Sequence, residues 1–184
     1  IYARDNTSYN YFLKINTQTL PYYDIFMLSK QNGPLAKIDR VVVNLSFRYI
    51  CLTEIDSLIE LLSQKYRYIA FACLNSSDKS EVEFVNYIAT NYQSNFISIH
   101  IHREVNATNS LFDESSAYLG YRLHGLGRSL ISGLAVNSIV YQEKILKFCE
   151  EYCIDKNIVI QTPLDFNPMV IDKFEQKNYD FIAE

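Results

Sequence analysis

Residues Tyr118 to Leu134, YLGYRLHGLGRSLISGL, gather Arg122, His124 and Arg128 among four glycines. The whole chain has five Gly and three His. Arg presents a planar fork of donors suited to a carboxylate or a phosphate. His titrates near neutral pH and can give or take a proton. Glycine permits tight turns or close backbone approach. In an open parallel sheet, ligands bind beyond the carboxyl ends of the strands, where helix N-termini attract anions. A brief strand or turn through Tyr118 to Tyr121, followed by a helix starting near Leu123, would set Arg122 and His124 at such a mouth. Arg128, one turn on, would be a supporting ion pair. The same residues have a plainer use, an Arg paired with an acid and a His satisfied in a core. Gly120, Gly125 and Gly127 follow G-x-x-x-x-G-x-G, which is neither the dinucleotide fingerprint nor a P-loop.

The surrounding pattern supplies the sheet. RVVVNLS (Arg40 to Ser46) is a β-branched run that reads as a buried parallel strand. Ile55, Leu58, Ile59 and Leu62 then repeat at helical spacing after Thr53, an expected N-cap. YRYIAFACL (Tyr66 to Leu74) reads as a strand, and Val82, Val85 and Ile88 mark a helix capped by Ser77 or Asp78. FISIHI (Phe96 to Ile101), VNSIVY (Val136 to Tyr141) and NIVIQT (Asn157 to Thr162) read as further strands, with EKILKFCEEYC as a helix. A short helix is expected around Leu111 to Ala117 and a last one near Met169 to Lys177. Alternating strands and helices predict an α/β, Rossmann-like domain, its parallel sheet covered by helices on both faces, from residue 38 to 184. Residues 1 to 37 break the rhythm, with a strand end, a helix capped near Asp5 or Asn6 and a linker at Asn32 to Pro34. They read as the remnant of a preceding domain.

Composition narrows the function classes. Of 184 residues, 48% are hydrophobic and 21% charged, enough for a real core. A net charge of -4 provides no basic field for nucleic acid. No run of about 18 apolar residues is present to span a membrane, and the chain opens without a secretion signal. The opening IYARD has no initiator Met, which suggests a trimmed or incomplete sequence. Cys51, Cys73, Cys149 and Cys153 complete no zinc pattern and read as reduced thiols of a cytosolic protein. Asn-x-Ser/Thr sequons at Asn6, Asn44, Asn75 and Asn106 say little without a secretion signal.

The string from Tyr118 to Asp155 resembles the C-terminal signature of the polysaccharide pyruvyl transferase family. The matching residues are Gly120, Arg122, Leu123 and His124, then Ser132 and Gly133, then Tyr141, Lys144 and Phe148. YARDNTSYNYFL resembles the family's V-R-D-x-x-S-x-x-x-L segment through Arg4, Asp5, Ser8 and Leu13. YYDIFMLSK resembles its P-D-x-A-F-x-L segment through Asp24 and Phe26, and VVVNLS its second-domain opening strand. Two features depart from the family. Gln142 stands where an Asp is usual, and the stretch between His100 and Arg122 is short.

The resemblance implies the C-terminal half of a GT-B-like two-domain enzyme. That enzyme moves an enolpyruvyl unit from phosphoenolpyruvate onto two sugar hydroxyls as a cyclic ketal, in polysaccharide or exopolysaccharide biosynthesis. It implies a substrate site of Arg4, Gly120, Arg122, Leu123, Tyr141 and Lys144, with His124 the catalytic acid. Arg122 and His124 would hold the donor phosphate, and Arg4 its carboxylate. The expected partners are phosphoenolpyruvate and a sugar or lipid-linked oligosaccharide acceptor. Phosphoenolpyruvate enters as donor substrate, with no separate cofactor and no metal. The expected place is the cytoplasm, at the inner face of the membrane with peripheral association. Two alternatives stay open: a GT-B glycosyltransferase using a nucleotide sugar, and a degenerate homologue acting as a non-catalytic binding module.

Overall fold

A computed structural model describes residues 2–3, 20–21, 37–101, 105–154 and 157–159. The chain divides into two units, Ile1–Gly33 and Pro34–Glu184. In the first, strand β1 (Tyr2–Ala3) pairs in parallel with β2 (Leu20–Pro21). Arg4, the helix expected near Asp5 or Asn6 and the helix expected near Met169 lie outside the described residues.

The second unit holds a six-stranded sheet in which every neighbouring pair is parallel. Its strands are β3 (Ile38–Asn44), β4 (Tyr68–Cys73), β5 (Ile97–Ile101), β6 (Ser115–Gly120), β7 (Ala135–Val140) and β8 (Asn157–Val159). Their spatial order is β5-β4-β3-β6-β7-β8. The helices are α1 (Ile55–Lys65), α2 (Lys79–Asn91), α3 (Val105–Glu114), α4 (Leu123–Ile131) and α5 (Glu143–Glu151). The chain steps outward one way from β3 to β5, then returns and steps the other way from β6. Right-handed crossovers therefore put α1 and α2 on one face and α3 to α5 on the other. The order is doubly wound, and the parallel sheet with helices on both faces is the Rossmann-like arrangement expected from the alternation.

Burial explains why these segments hold. Val41, Val42 and Val43 are all fully buried, as a central strand covered on both faces requires. On the α1/α2 face, Val41 and Val43 join Ile69, Phe71, Leu119 and Ile139. Against them pack Ile55, Leu58, Ile59 and Leu62 of α1, and Phe84, Val85 and Ile88 of α2. Each fully buried aliphatic or Phe side chain contributes about 1.5–3 kcal/mol of transfer free energy. On the other face, the Tyr118 ring lies fully buried against Phe112, with ring centroids 5.5 Å apart.

Helix ends correct some expectations and meet others. Thr53 does not cap α1, because a 3-10 turn over Leu52–Glu54 leads straight into it. Asp78 does cap α2, its carboxylate accepting from the Ser80 amide at 3.2 Å. The helix expected over Leu111 to Ala117 is instead the end of α3 followed directly by β6. The strand feeding α4 therefore begins at Ser115 rather than Tyr118. Gly133, with φ 65, ends α4 in a Schellman motif, where Leu134 N donates to Ser129 O and Gly133 N to Leu130 O. Cys153, with φ 52, closes α5 the same way through Ile154 N to Cys149 O. All four thiols are free.

Candidate functional site

The winding direction reverses between β3 and β6, and the carboxyl ends of those strands are where such sheets bind ligands. β3 ends at Asn44, then Leu45 and Ser46, with a turn over Phe47 to Tyr49. β6 ends at Gly120, followed by Tyr121 and Arg122, and α4 starts at Leu123 with Arg122 as its N-cap residue. The opening of α2 supplies the third wall.

Glu81, fully buried in the first turn of α2, organises this place. Its Oε1 accepts from Asn44 Nδ2 at 2.8 Å, from the Asn75 amide at 3.2 Å and from the Leu74 amide. Its Oε2 accepts from the Tyr121 hydroxyl at 2.6 Å and from Arg122 Nε at 2.7 Å. An ionised carboxylate tolerates full burial only with such a complement of donors. Arg122 Nη2 reaches Asp78 Oδ2 at 2.6 Å, so one guanidinium spans two carboxylates. Burial works against the Arg122 charge, but Glu81, Tyr121 and Asp78 outweigh it and hold its pKa above the ordinary arginine value. Burial, with the Glu81 carboxylate alongside, likewise keeps the Tyr121 phenol protonated far above its usual range.

Around this pair stand three tyrosines from three strand ends. Tyr49, Tyr121 and Tyr141 have ring centroids 4.5 to 5.7 Å apart, and the Arg122 guanidinium lies 5.1 Å from the Tyr121 ring. Burial and the neighbouring Tyr141 push the Tyr49 phenol up to about 12. Burial also raises Tyr141, whose hydroxyl accepts from Gln142 Nε2 at 2.7 Å. Gln142, where the resembling family carries an Asp, thus serves the aromatic cluster.

The glycines work by close approach. A Cβ on Gly120 or Gly125 would fall on the Tyr118 hydroxyl, which donates to Asn44 Oδ1 at 3.4 Å. Gly120 therefore makes room for a ring that supports Asn44, and the left-handed turn belongs to Gly133 instead.

Of the expected site residues, Gly120, Arg122, Leu123 and His124 come together at the start of α4, where Leu123 is half-buried and His124 exposed. Tyr141 joins through the aromatic cluster. Lys144 lies exposed in the first turn of α5 and shares no described contact with the group. Arg128 pairs with Asp113 at 2.5 Å, the supporting role expected of it. Sequence reading passed over Glu81, Asn44 and Arg48. A signal for Glu81 was available, because it occupies the apolar stripe completed by Phe84, Val85 and Ile88. A carboxylate in such a stripe demands partners.

Among the described residues, no group of three or more His, Cys, Asp or Glu could hold a metal ion, and no helix is long and apolar enough to cross a membrane. No family model, curated protein or solved structure matches the chain.

Proposed function

We propose that this chain is the second domain of a GT-B-like, two-domain transferase. It takes phosphoenolpyruvate as donor and builds a pyruvate ketal on a sugar of a polysaccharide or its precursor. The observation that carries the reading is the start of α4: Arg122 stands at the carboxyl end of β6, beside β3, with His124 exposed two residues on. The motif resemblance then selects the donor among possible anions.

The chemistry assigns each group a task. Two sugar hydroxyls add to C2 of the enolpyruvyl unit, the C2–O bond to phosphate breaks, and the methylene carbon takes one proton. The second proton leaves with the phosphate. His124 is the residue assigned to deliver the proton to the methylene carbon as general acid. Arg122, fixed by Glu81, presents a preoriented cation at the start of α4, where the helix dipole adds to its field. For the donor carboxylate the motif resemblance implies Arg4, which lies outside the described residues.

A second reading is favoured by one specific observation. Glu81 and Asp78 together offset the charge of Arg122, the arrangement of a fold kept as a binding module without the chemistry. Phosphate release from phosphoenolpyruvate, followed with a sugar acceptor and the full-length protein, separates the two. Ketal formation with stoichiometric phosphate is expected, and His124→Ala lowers turnover by about two orders of magnitude. A folded His124→Ala variant with wild-type turnover rejects the transferase reading.

A further inference from the structure

The geometry points to a second arginine in the anion site: Arg48 and Arg122 form a two-guanidinium seat for a phosphate or carboxylate, and the Asp78 carboxylate lies between them. This rests on the reading of the β3/β6 strand ends as an anion site. Asp78 lies between the two cations, with Oδ2 2.6 Å from Arg122 Nη2 and Oδ1 3.5 Å from Arg48 Nη2. The two arginines follow the two strands that flank the reversal of winding, which is where a ligand enters. One carboxylate held by two guanidiniums is itself the geometry of anion recognition.

The two cations differ in what anchors them. Arg122 is held from behind by the buried Glu81, and only 22% of its side chain is exposed. Arg48 is 61% exposed and has no such acid behind it among its described contacts. Its turn is nonetheless tied down: the Arg48 amide donates to Ser46 Oγ at 3.1 Å, and Ser46 Oγ lies 3.0 Å from Ser80 Oγ in the first turn of α2. The backbone is fixed while the guanidinium is left to reach a ligand. Beside the seat the Arg122 guanidinium lies 5.1 Å from the Tyr121 ring, against which Tyr49 and Tyr141 pack. An incoming phosphate dianion competes with a single Asp78 charge and takes over both guanidiniums.

The test is titration calorimetry of the full chain with inorganic phosphate and with phosphoenolpyruvate, at fixed ionic strength. Asp78→Asn removes the competing charge and keeps a side chain that caps helices well. It is expected to bind both anions several-fold more tightly than wild type. Arg48→Ala removes an exposed cation and is expected to weaken both by roughly five- to tenfold. Unchanged affinity in both variants, weaker binding by Asp78→Asn, or binding of neither anion by any of the three proteins overturns the seat. Should Asp78→Asn fail to fold, Asp78→Ser carries the same expectation, since Ser also caps. Binding that responds to both substitutions without any pyruvyl transfer keeps the seat and removes the proposed reaction. Transfer with unaltered binding does the reverse.

Discussion

Loss of Glu81 should cost the fold dearly, because this fully buried carboxylate ties four segments together. Its two oxygens serve five donors, and Glu81→Ala leaves the Leu74 and Asn75 amides, the Tyr121 hydroxyl and Arg122 Nε without that acceptor, while Asn44 Nδ2 keeps the Ala72 carbonyl and Arg122 keeps Asp78. Breaking a buried charge pair from one side costs about 3–5 kcal/mol, which urea denaturation will read directly. Glu81→Gln keeps the shape but turns an amide toward the Tyr121 hydroxyl or Arg122, so it should fall between wild type and Ala. Tyr49 gives a pH dependence of known sign. Its folded-state pKa, about 12, lies above the ordinary value of 10.0, so the unfolded chain ionises first as pH rises. Its contribution is whole below pH 10 and is lost between pH 10 and 12. Stability measured across that window should fall, and fall less steeply in Tyr49→Phe. At this scale the sequence showed Arg122 and His124 because their types are rare in an apolar run. It hid Glu81 and Asn44 because their meaning lies in contacts across 37 to 41 positions of chain.

Among the elements, five of the six main strands and the course of α1, α2 and α5 were legible, because apolar period distinguishes them. Of β6 only the end was, as a brief strand or turn through Tyr118 to Tyr121, although it lies at the centre of the sheet beside β3. Its residues SSAYLG lack the β-branched run of a central strand, and two serines open it. Those serines are set against Arg40, whose Nε donates to Ser115 Oγ at 2.8 Å and whose carbonyl accepts from Ser116 Oγ. Its last residue is small because the Tyr118 ring needs the space. Polar and steric demands of neighbours had overridden strand propensity. The close of α5 offers an element-scale test. Cys153 holds a left-handed conformation that costs an L residue about 1–2 kcal/mol, and glycine adopts it without that cost. After the extra unfolded-state entropy of glycine, Cys153→Gly should stabilise the domain by about 0.5–1 kcal/mol, visible as a raised Tm. Gly133→Ala, in the same position on α4, should lower it by a similar amount.

For the molecule as a whole, the reversal of winding between β3 and β6 dictates an order of events in time. The run from β3 through α1, β4 and α2 to β5 closes only contacts between successive elements. β6 must then return past all of them to pair with β3, with partners such as Val43 and Leu119 far apart in sequence. Long closures are entropically late. The Glu81–Arg122 pair bridges these two portions, because Glu81 belongs to the first and Arg122 follows β6. It can form only when the second portion has docked. Arg122→Lys should therefore leave the refolding arm of a stopped-flow chevron nearly unchanged and raise the unfolding rate, the mark of an interaction absent from the transition state. The Glu81–Arg122 ion pair then doubles as a latch against opening, so the guanidinium proposed to meet an anion would also lengthen the life of the closed sheet.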